Sequence, residues 1–209
     1  MRSQGVLKRI SCAALGLLCA MGFAWGDEAK VVRAVIQGTI DETVGTLKDE
    51  ALSGDEKKEE RRDKIRSTLL AVTDARRVSL LTLGRHRSKF KEAEIKEFTD
   101  AFAQLVFVTY ISQLEKYHDE EVRILSIEML PKSKAYAAIL VVSREKEIPA
   151  GFSMFKDQDG SWKIYDVKVE GVSMVSNYRS QFSEILLNRT PAKLIADIKE
   201  KVKENEANI

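Results

Sequence analysis

The sequence predicts one α+β domain in which about six helices wrap a curved, four-stranded antiparallel sheet. Three observations predict it. From Glu28 to Tyr117 apolar residues recur at three- and four-residue steps, the period of a helix face. From Val122 to Glu170 the period shortens to two, in four runs joined mostly by turn sequences. After Ser173 the helical period returns, and no linker separates the three parts.

The first 26 residues stand apart from that domain. Arg2, Lys8 and Arg9 make a positive start, Ile10 to Trp25 is uncharged, and Ala24-Trp25-Gly26 places small residues ahead of Asp27. This is the layout of a removable signal peptide. Its apolar run is shorter than the roughly 20 residues that span a bilayer. Neither Cys12 nor Cys19 follows the small-residue pattern that invites lipidation. Removal takes three of the 34 basic residues and none of the 32 acidic, leaving 31 against 32, so the charge balance gives no reason to expect a nucleic-acid partner. Both cysteines leave too, which excludes disulfides, thiol chemistry and cysteine metal sites from the mature chain. The expectation is an exported, soluble protein of one domain, residues 27–209.

In order along the chain, Val31, Val32, Val35, Ile36, Ile40, Val44 and Leu47 mark an amphipathic helix over Glu28 to Ala51, broken at Leu52-Ser53-Gly54. Asp55 caps a second helix to Val72, whose first half is charged and reads as a solvated face. Thr73 to Gly84 forms a short third helix. Glu92 to Tyr117 is the strongest, apolar nearly all round between Leu105 and Ile111 and so covered on more than one side. The strands are Val122–Leu130, Ala135–Arg144, Ile148–Lys156 and Trp162–Glu170, with turns at Pro131–Lys134 and Asp157–Gly160. Strict alternation in the last strand points Trp162 and Ile164 one way and Tyr165, Val167 and Val169 the other. Ser173 caps a fifth helix. Thr190 caps a sixth, with Pro191 in its first turn.

Catalytic signatures are missing: no Gly-rich phosphate loop, no G-x-S-x-G elbow and only two histidines. His118 sits at a helix end, where the dipole favours a cation. His86 lies among Arg76, Arg77, Arg85, Arg87 and Lys89, either a basic collar for a phosphate or acidic partner or a solvated helix end. Asp157 and Asp159 lack the spaced Glu of a calcium loop and read as a hairpin turn. No metal or cofactor is expected. The aromatic residues on elements facing the sheet are an ordinary core or a cavity lining, and composition does not choose between them.

The run from Gly160 to Phe182, a strand ending in Val169-Glu170-Gly171-Val172-Ser173 that leads into a helix, resembles the MlaC family of periplasmic phospholipid-binding proteins, also called toluene-tolerance proteins. Leu83-Gly84-Arg85, Phe98, Phe102 and Thr109-Tyr110 resemble the family's upstream pattern. The resemblance spans about Asp74 to the C-terminal helix. It implies that sheet and helices enclose an apolar cavity for a phospholipid. The walls it implies are Phe98, Phe102 and Leu105 from the long helix, and Ile139, Val141, Phe152 and Met154 from the middle strands. Tyr165, Val167, Val169 and Val172 would add the last strand and turn, and Tyr178 and Phe182 the next helix. Arg85 and Arg87 would rim the mouth toward a headgroup or partner.

That role is physically reasonable. A diacyl lipid carries about 30 methylenes at roughly 0.8 kcal/mol each, so about 25 kcal/mol opposes its crossing water alone. By resemblance, a monomeric carrier exchanges lipid between an inner-membrane MCE-type permease complex and an outer-membrane lipoprotein–porin complex, maintaining outer-membrane lipid asymmetry without making or breaking bonds. The alternatives are a carrier of another lipid, such as a hopanoid, and an enzyme on a cone-shaped α+β scaffold using Asp166 or Tyr165 as acid or base.

Overall fold

Turn chemistry orders the sheet. Strands β1 (Glu121–Leu130), β2 (Lys134–Val142), β3 (Glu147–Lys156) and β4 (Trp162–Val169) follow one another as antiparallel neighbours, and β5 (Val172–Ser173) completes the order β1-β2-β3-β4-β5. The computed structural model describes residues 13–116, 120–143 and 146–208, with side chains from residue 26 onward. The first 12 residues of the expected signal peptide, the Tyr117-His118 helix end and Arg144 at the end of the expected second strand lie outside the described residues. So do the side chains of residues 13–25, Cys19 among them.

The sheet has five strands where four were expected, and it is open. Glu170 and Gly171 both take positive φ, 50° and 81°, and Val169 pairs with Val172 across them. Two consecutive left-handed residues form the primed turn that closes a two-residue hairpin. Ser173 therefore does two things: it pairs with Lys168 in β5, and its hydroxyl accepts the Ser176 N–H at 3.0 Å to cap the following helix. The sequence pattern reveals only the second.

The alternation expected in β4 also fails. Ile164 pairs with Met154 while Asp166 pairs with Ser153, so Tyr165 is an extra residue, a bulge. One extra residue reverses the parity of everything beyond it. Val167 and Val169 consequently share a face with Trp162 and Ile164. A second bulge, at Leu125 in β1, does the same for Ile124 and Ile127.

Six α-helices accompany the sheet among the described residues: α1 (Ala13–Leu47), α2 (Lys58–Ala71), α3 (Ala75–Leu83), α4 (Glu92–Glu115), α5 (Met174–Asn188) and α6 (Pro191–Glu206). None is long and apolar enough to cross a membrane, among the described residues. α1 stops at Leu47, short of the expected Ala51, because Asp49 accepts the Ala51 N–H and starts a separate 3-10 turn. Asp74, Ser173 and Thr190 cap α3, α5 and α6. The charged start of α2 is mostly solvated, but Arg61 and Arg62 turn inward to Glu115, their side chains 16% and 7% exposed. Arg62 is buried and grips Glu115 of α4 with two bonds, Nε to Oε1 at 2.9 Å and Nη2 to Oε2 at 2.7 Å. Burial pushes the Glu115 carboxyl up, but the Arg62 bonds and the charges of Arg62, Arg61 and Lys58 outweigh it and hold the group below its ordinary value.

Buried apolar residues sort into two cores. One is wholly helical, built on α3, α4, α5 and α6 with Phe98, Phe102, Tyr178 and Phe182 at its centre. The other joins Val32 and Ile36 of α1 to Ala135, Ala137, Ile139, Met154, Trp162 and Ile164 of the sheet. α4 packs chiefly along α6 and α3, so the helical core lies beside the sheet core and is not merged with it.

Candidate functional site

The register of the strands assembles a continuous apolar face from residues far apart in sequence. Met129, Ala135, Met154 and Ile164 form one cross-strand row. Ile127, Ala137, Phe152 and Val167 form the next, and Ile124, Ile139, Ala150, Val169 and Val172 the third. Val122, Val141 and Ile148 begin a fourth. No polar side chain interrupts these rows. Two residues of strand advance about 6.6 Å, so four rows run about 20 Å. That exceeds the roughly 15 Å thickness of one leaflet's acyl layer.

Cover over this face is graded. In the first row Ala135 and Met154 are fully buried; in the second, Phe152 and Val167 are half-buried. In the third, Ile139 on β2 stays buried while Val169 is 46% exposed and Val172 62%, so cover thins toward the β4–β5 edge. α1 lies over the β1–β2 side, where Arg33 Nη1 donates to the Ile124 carbonyl at the bulge. The face is thus closed at the Met154 end and open at the β4–β5 hairpin. On the helical side Val106, Phe107, Met174 and Ile185 are half-buried and Tyr110 is exposed, so apolar surface also reaches the edge of the other core.

The residues expected to form walls fall into two groups. Ile139, Val141, Phe152, Met154, Val167, Val169 and Val172 come together on the sheet face. Phe98, Phe102, Leu105, Tyr178 and Phe182 come together in the helical core, packed ring on ring: Phe98 on Phe102 at 5.6 Å, Phe102 on Tyr178 at 4.9 Å, Phe98 on Phe182 at 5.5 Å. Burial, with Tyr110 beside it, raises the Tyr178 phenol above its ordinary value. Tyr165 joins neither group. The bulge turns it to the opposite face, where its ring meets Phe155 at 6.1 Å and Lys134 Nζ lies 5.5 Å from its centroid.

Of the polar candidates, Asp166 is committed to structure. It is buried, accepts the Ser173 hydroxyl at 2.6 Å and the Val175 N–H at 3.0 Å, and so ties β4 to the start of α5. His86 is neither solvated nor free to form a collar: it is buried, with Nε2 3.1 Å from the Ser183 hydroxyl of α5. Burial, then the charges of Lys89 and Arg85, lowers its pKa. Arg85 and Arg87 are exposed on the 3-10 segment Gly84–Lys89 against α5. Asp157 and Asp159 serve the hairpin, Asp159 accepting from the Ser161 N–H and hydroxyl. Among the described residues no group of histidines and carboxylates is placed to hold a metal ion.

One feature escaped the sequence reading. A cleft of about 340 Å³ between α2, α4 and α6 is lined by Glu59, Arg62, Arg66, Phe107, Val108 and Glu206. It adjoins one of about 230 Å³ that shares Val108 and is otherwise polar. The signal was present in α2: Arg62, Ile65 and Arg66 fall on one helical stripe.

Residues 37–200 match the family model described as MlaC protein. The chain belongs to the MlaC family. The match takes in every element from the middle of α1 to most of α6, including the whole apolar face. No curated protein matches the sequence. Among solved structures, the phospholipid-binding protein from Ralstonia solanacearum in complex with a phospholipid superposes with a TM-score of 0.73 at 19% identity, covering 83% of this chain and 97% of that one. At that identity the likeness establishes the shared fold, with its α+β arrangement and antiparallel sheet.

Proposed function

We propose that this MlaC-family protein is a phospholipid-binding carrier that performs no covalent chemistry. The observation that carries the reading is the graded apolar face, about as long as an acyl chain, closed at one end and open at the other. A face of that length left partly uncovered is unfavourable in water, and an acyl chain laid along it removes apolar surface from water on both sides. The complex of the Ralstonia protein with a phospholipid supports the same ligand class here.

In this reading Ile139, Val141, Phe152, Met154, Val167, Val169 and Val172 contact the chains. The Phe98, Phe102, Leu105, Tyr178 and Phe182 core backs the helical wall. Arg85 and Arg87 are exposed and open to an acidic partner. The protein acts in the periplasm after cleavage ahead of Asp27, passing lipid between an inner-membrane MCE-type permease complex and an outer-membrane lipoprotein–porin complex. Cleavage is required by this role, because a chain anchored through residues 1–26 could not travel between two membranes.

The test is native mass spectrometry of the protein purified from the exporting cell, with lipid extraction and identification. A stoichiometric diacyl phospholipid is expected. A protein free of lipid, and unable to take any from vesicles, would overturn the reading; a fused-ring lipid in its place would favour the hopanoid alternative.

A further inference from the structure

The chain balances 34 basic against 32 acidic residues, but its charge is not evenly spread. α3, the 3-10 segment Gly84–Lys89 and α5 pack on one another. Between them they carry Arg76, Arg77, Arg85, Arg87, Lys89 and Arg179 against one carboxylate, the exposed Glu184. Arg76 and Arg77 are paired with Glu92 and Asp74. The other four cations form no ion pair among the described residues.

Two of those four hold helix ends. Arg179 Nε donates to the Leu81 carbonyl at 2.7 Å and Lys89 Nζ to the Leu186 carbonyl at 2.6 Å. Both carbonyls lie in a last helical turn, where a cation is favoured. Arg85 and Arg87 are exposed on either side of the buried His86. At three residues per turn they diverge by about 120°, so one small anion does not reach both. A chain bearing several carboxylates does. A bilayer suits this surface less well, because elements that enter one set large apolar residues beneath their cations. Among the described residues, Leu187 is the one large exposed apolar residue on these three elements.

His86 makes the surface sensitive to protons. Its Nε2 accepts from Arg85 Nε at 3.4 Å and lies 3.1 Å from the Ser183 hydroxyl of α5. A nitrogen that accepts from a guanidinium carries no proton, so the ring is neutral. Burial disfavours its charged form, and the charges of Lys89 and Arg85 add to that. The remaining charged groups on the elements packed around it are Arg87, then Arg179 and Glu184 on α5, and the paired Arg76 and Arg77 at the far end of α3. Carboxylates set against Arg85 and Arg87 act on the ring twice. They offset the cations that oppose its charge, and they draw Arg85 off Nε2, opening that nitrogen to a proton. The coupling is reciprocal: if docking eases protonation, protonation strengthens docking.

We propose that an acidic segment of a partner protein docks on Arg85 and Arg87 while His86 takes up a proton, so that docking tightens as pH falls. This deepens the carrier reading, on which the need for a partner rests. The gain appears as pH falls through the docked value of His86 and is complete below its lower, free value.

A labelled, N-acetylated decaaspartate peptide, ionised at both pH 7.5 and pH 5, stands in for the partner. Its affinity is read by fluorescence anisotropy at low ionic strength, with His118→Gln in every sample so that His86 is the only histidine. Binding should be about tenfold tighter at pH 5, the worth of the charge-assisted bond that Arg85 is released to make. His86→Gln should bind equally at the two pH values, and Arg85→Gln with Arg87→Gln should lose binding at both. Followed by NMR, the His86 ring should titrate at higher pH with the peptide than without it. That measurement leaves His86 in place, so it decides the matter should His86→Gln fail to fold. A pH dependence that survives His86→Gln, a ring titration unmoved by the peptide, or binding that survives loss of both arginines overturns the inference. Binding of phosphatidylglycerol vesicles through the same arginines, with none of the peptide, overturns it too and gives the face to a membrane. Lipid content of the same samples tests the carrier reading apart. Docking without lipid sinks that reading alone, and lipid without docking sinks this one alone.

Discussion

At the scale of single residues the molecule spends its buried polar groups on joining elements. Arg62 and Glu115 bolt α2 to α4 across 53 residues of sequence, and their side chains are 7% and 15% exposed. Removing one partner strands the other charge, so Glu115→Ala should cost about 3 kcal/mol at neutral pH. The carboxyl sits below its ordinary value in the folded protein. Its contribution is therefore complete above the unfolded value near 4.3 and is lost as pH falls through the lower folded value. Urea midpoints for wild type and Glu115→Ala should lie well apart at pH 7 and converge toward pH 3; a gap independent of pH would mean that packing and not charge holds the joint. Asp166 does comparable work between β4 and α5 through Ser173 and the Val175 amide. Such pairings are invisible in the sequence, since each partner alone looks like a surface residue.

At the scale of elements, two bulges and one tight hairpin shape the candidate site. Without the extra residues Leu125 and Tyr165, half of β1 and half of β4 would turn their apolar side chains away from α1. The hairpin at Glu170-Gly171 folds β5 back on β4 and delivers Ser173 to Asp166 and to the first turn of α5. Gly171 has φ of 81° and nothing within 4 Å of where a Cβ would sit, so alanine there meets conformational strain and no clash. Gly171→Ala should lower stability by about 1 kcal/mol, a fall of roughly 2–4 °C in Tm for a chain of this size. Calorimetry checks it, and an unchanged Tm would show that the turn is not held in its primed form. Gly151 serves packing instead: a Cβ there would meet the Tyr136 ring and the Ala137 carbonyl, so the missing side chain lets the tyrosine lie across β3.

For the whole molecule, the separation of a helical core from a sheet core leaves an apolar face partly covered, and that is the property a lipid carrier needs. Val167 stands in the second row, opposite Phe152, where cover gives way to exposure. Val167→Trp should fill the face and reduce lipid occupancy about tenfold, a loss of roughly 1.4 kcal/mol, with little change in Tm. Native mass spectrometry beside thermal melts reads both, and full occupancy would place the chains elsewhere. Much of this was legible beforehand. The helix faces, the caps at Ser173 and Thr190, the meander and the family pattern between Gly160 and Phe182 all follow from local period and residue type, because a helix stripe or a turn is written within a few neighbouring residues. The fifth strand, the parity of Val167 and Val169, the division of the aromatic residues from the sheet face and the Arg66 cleft were decided only by the tertiary structure. Each depends on strand register or on contacts between distant segments. The bulge in β4 leaves a trace, since the apolar residues pass from even positions at Trp162 and Ile164 to odd ones at Val167 and Val169, but only the register distinguishes that trace from a strand apolar on both faces.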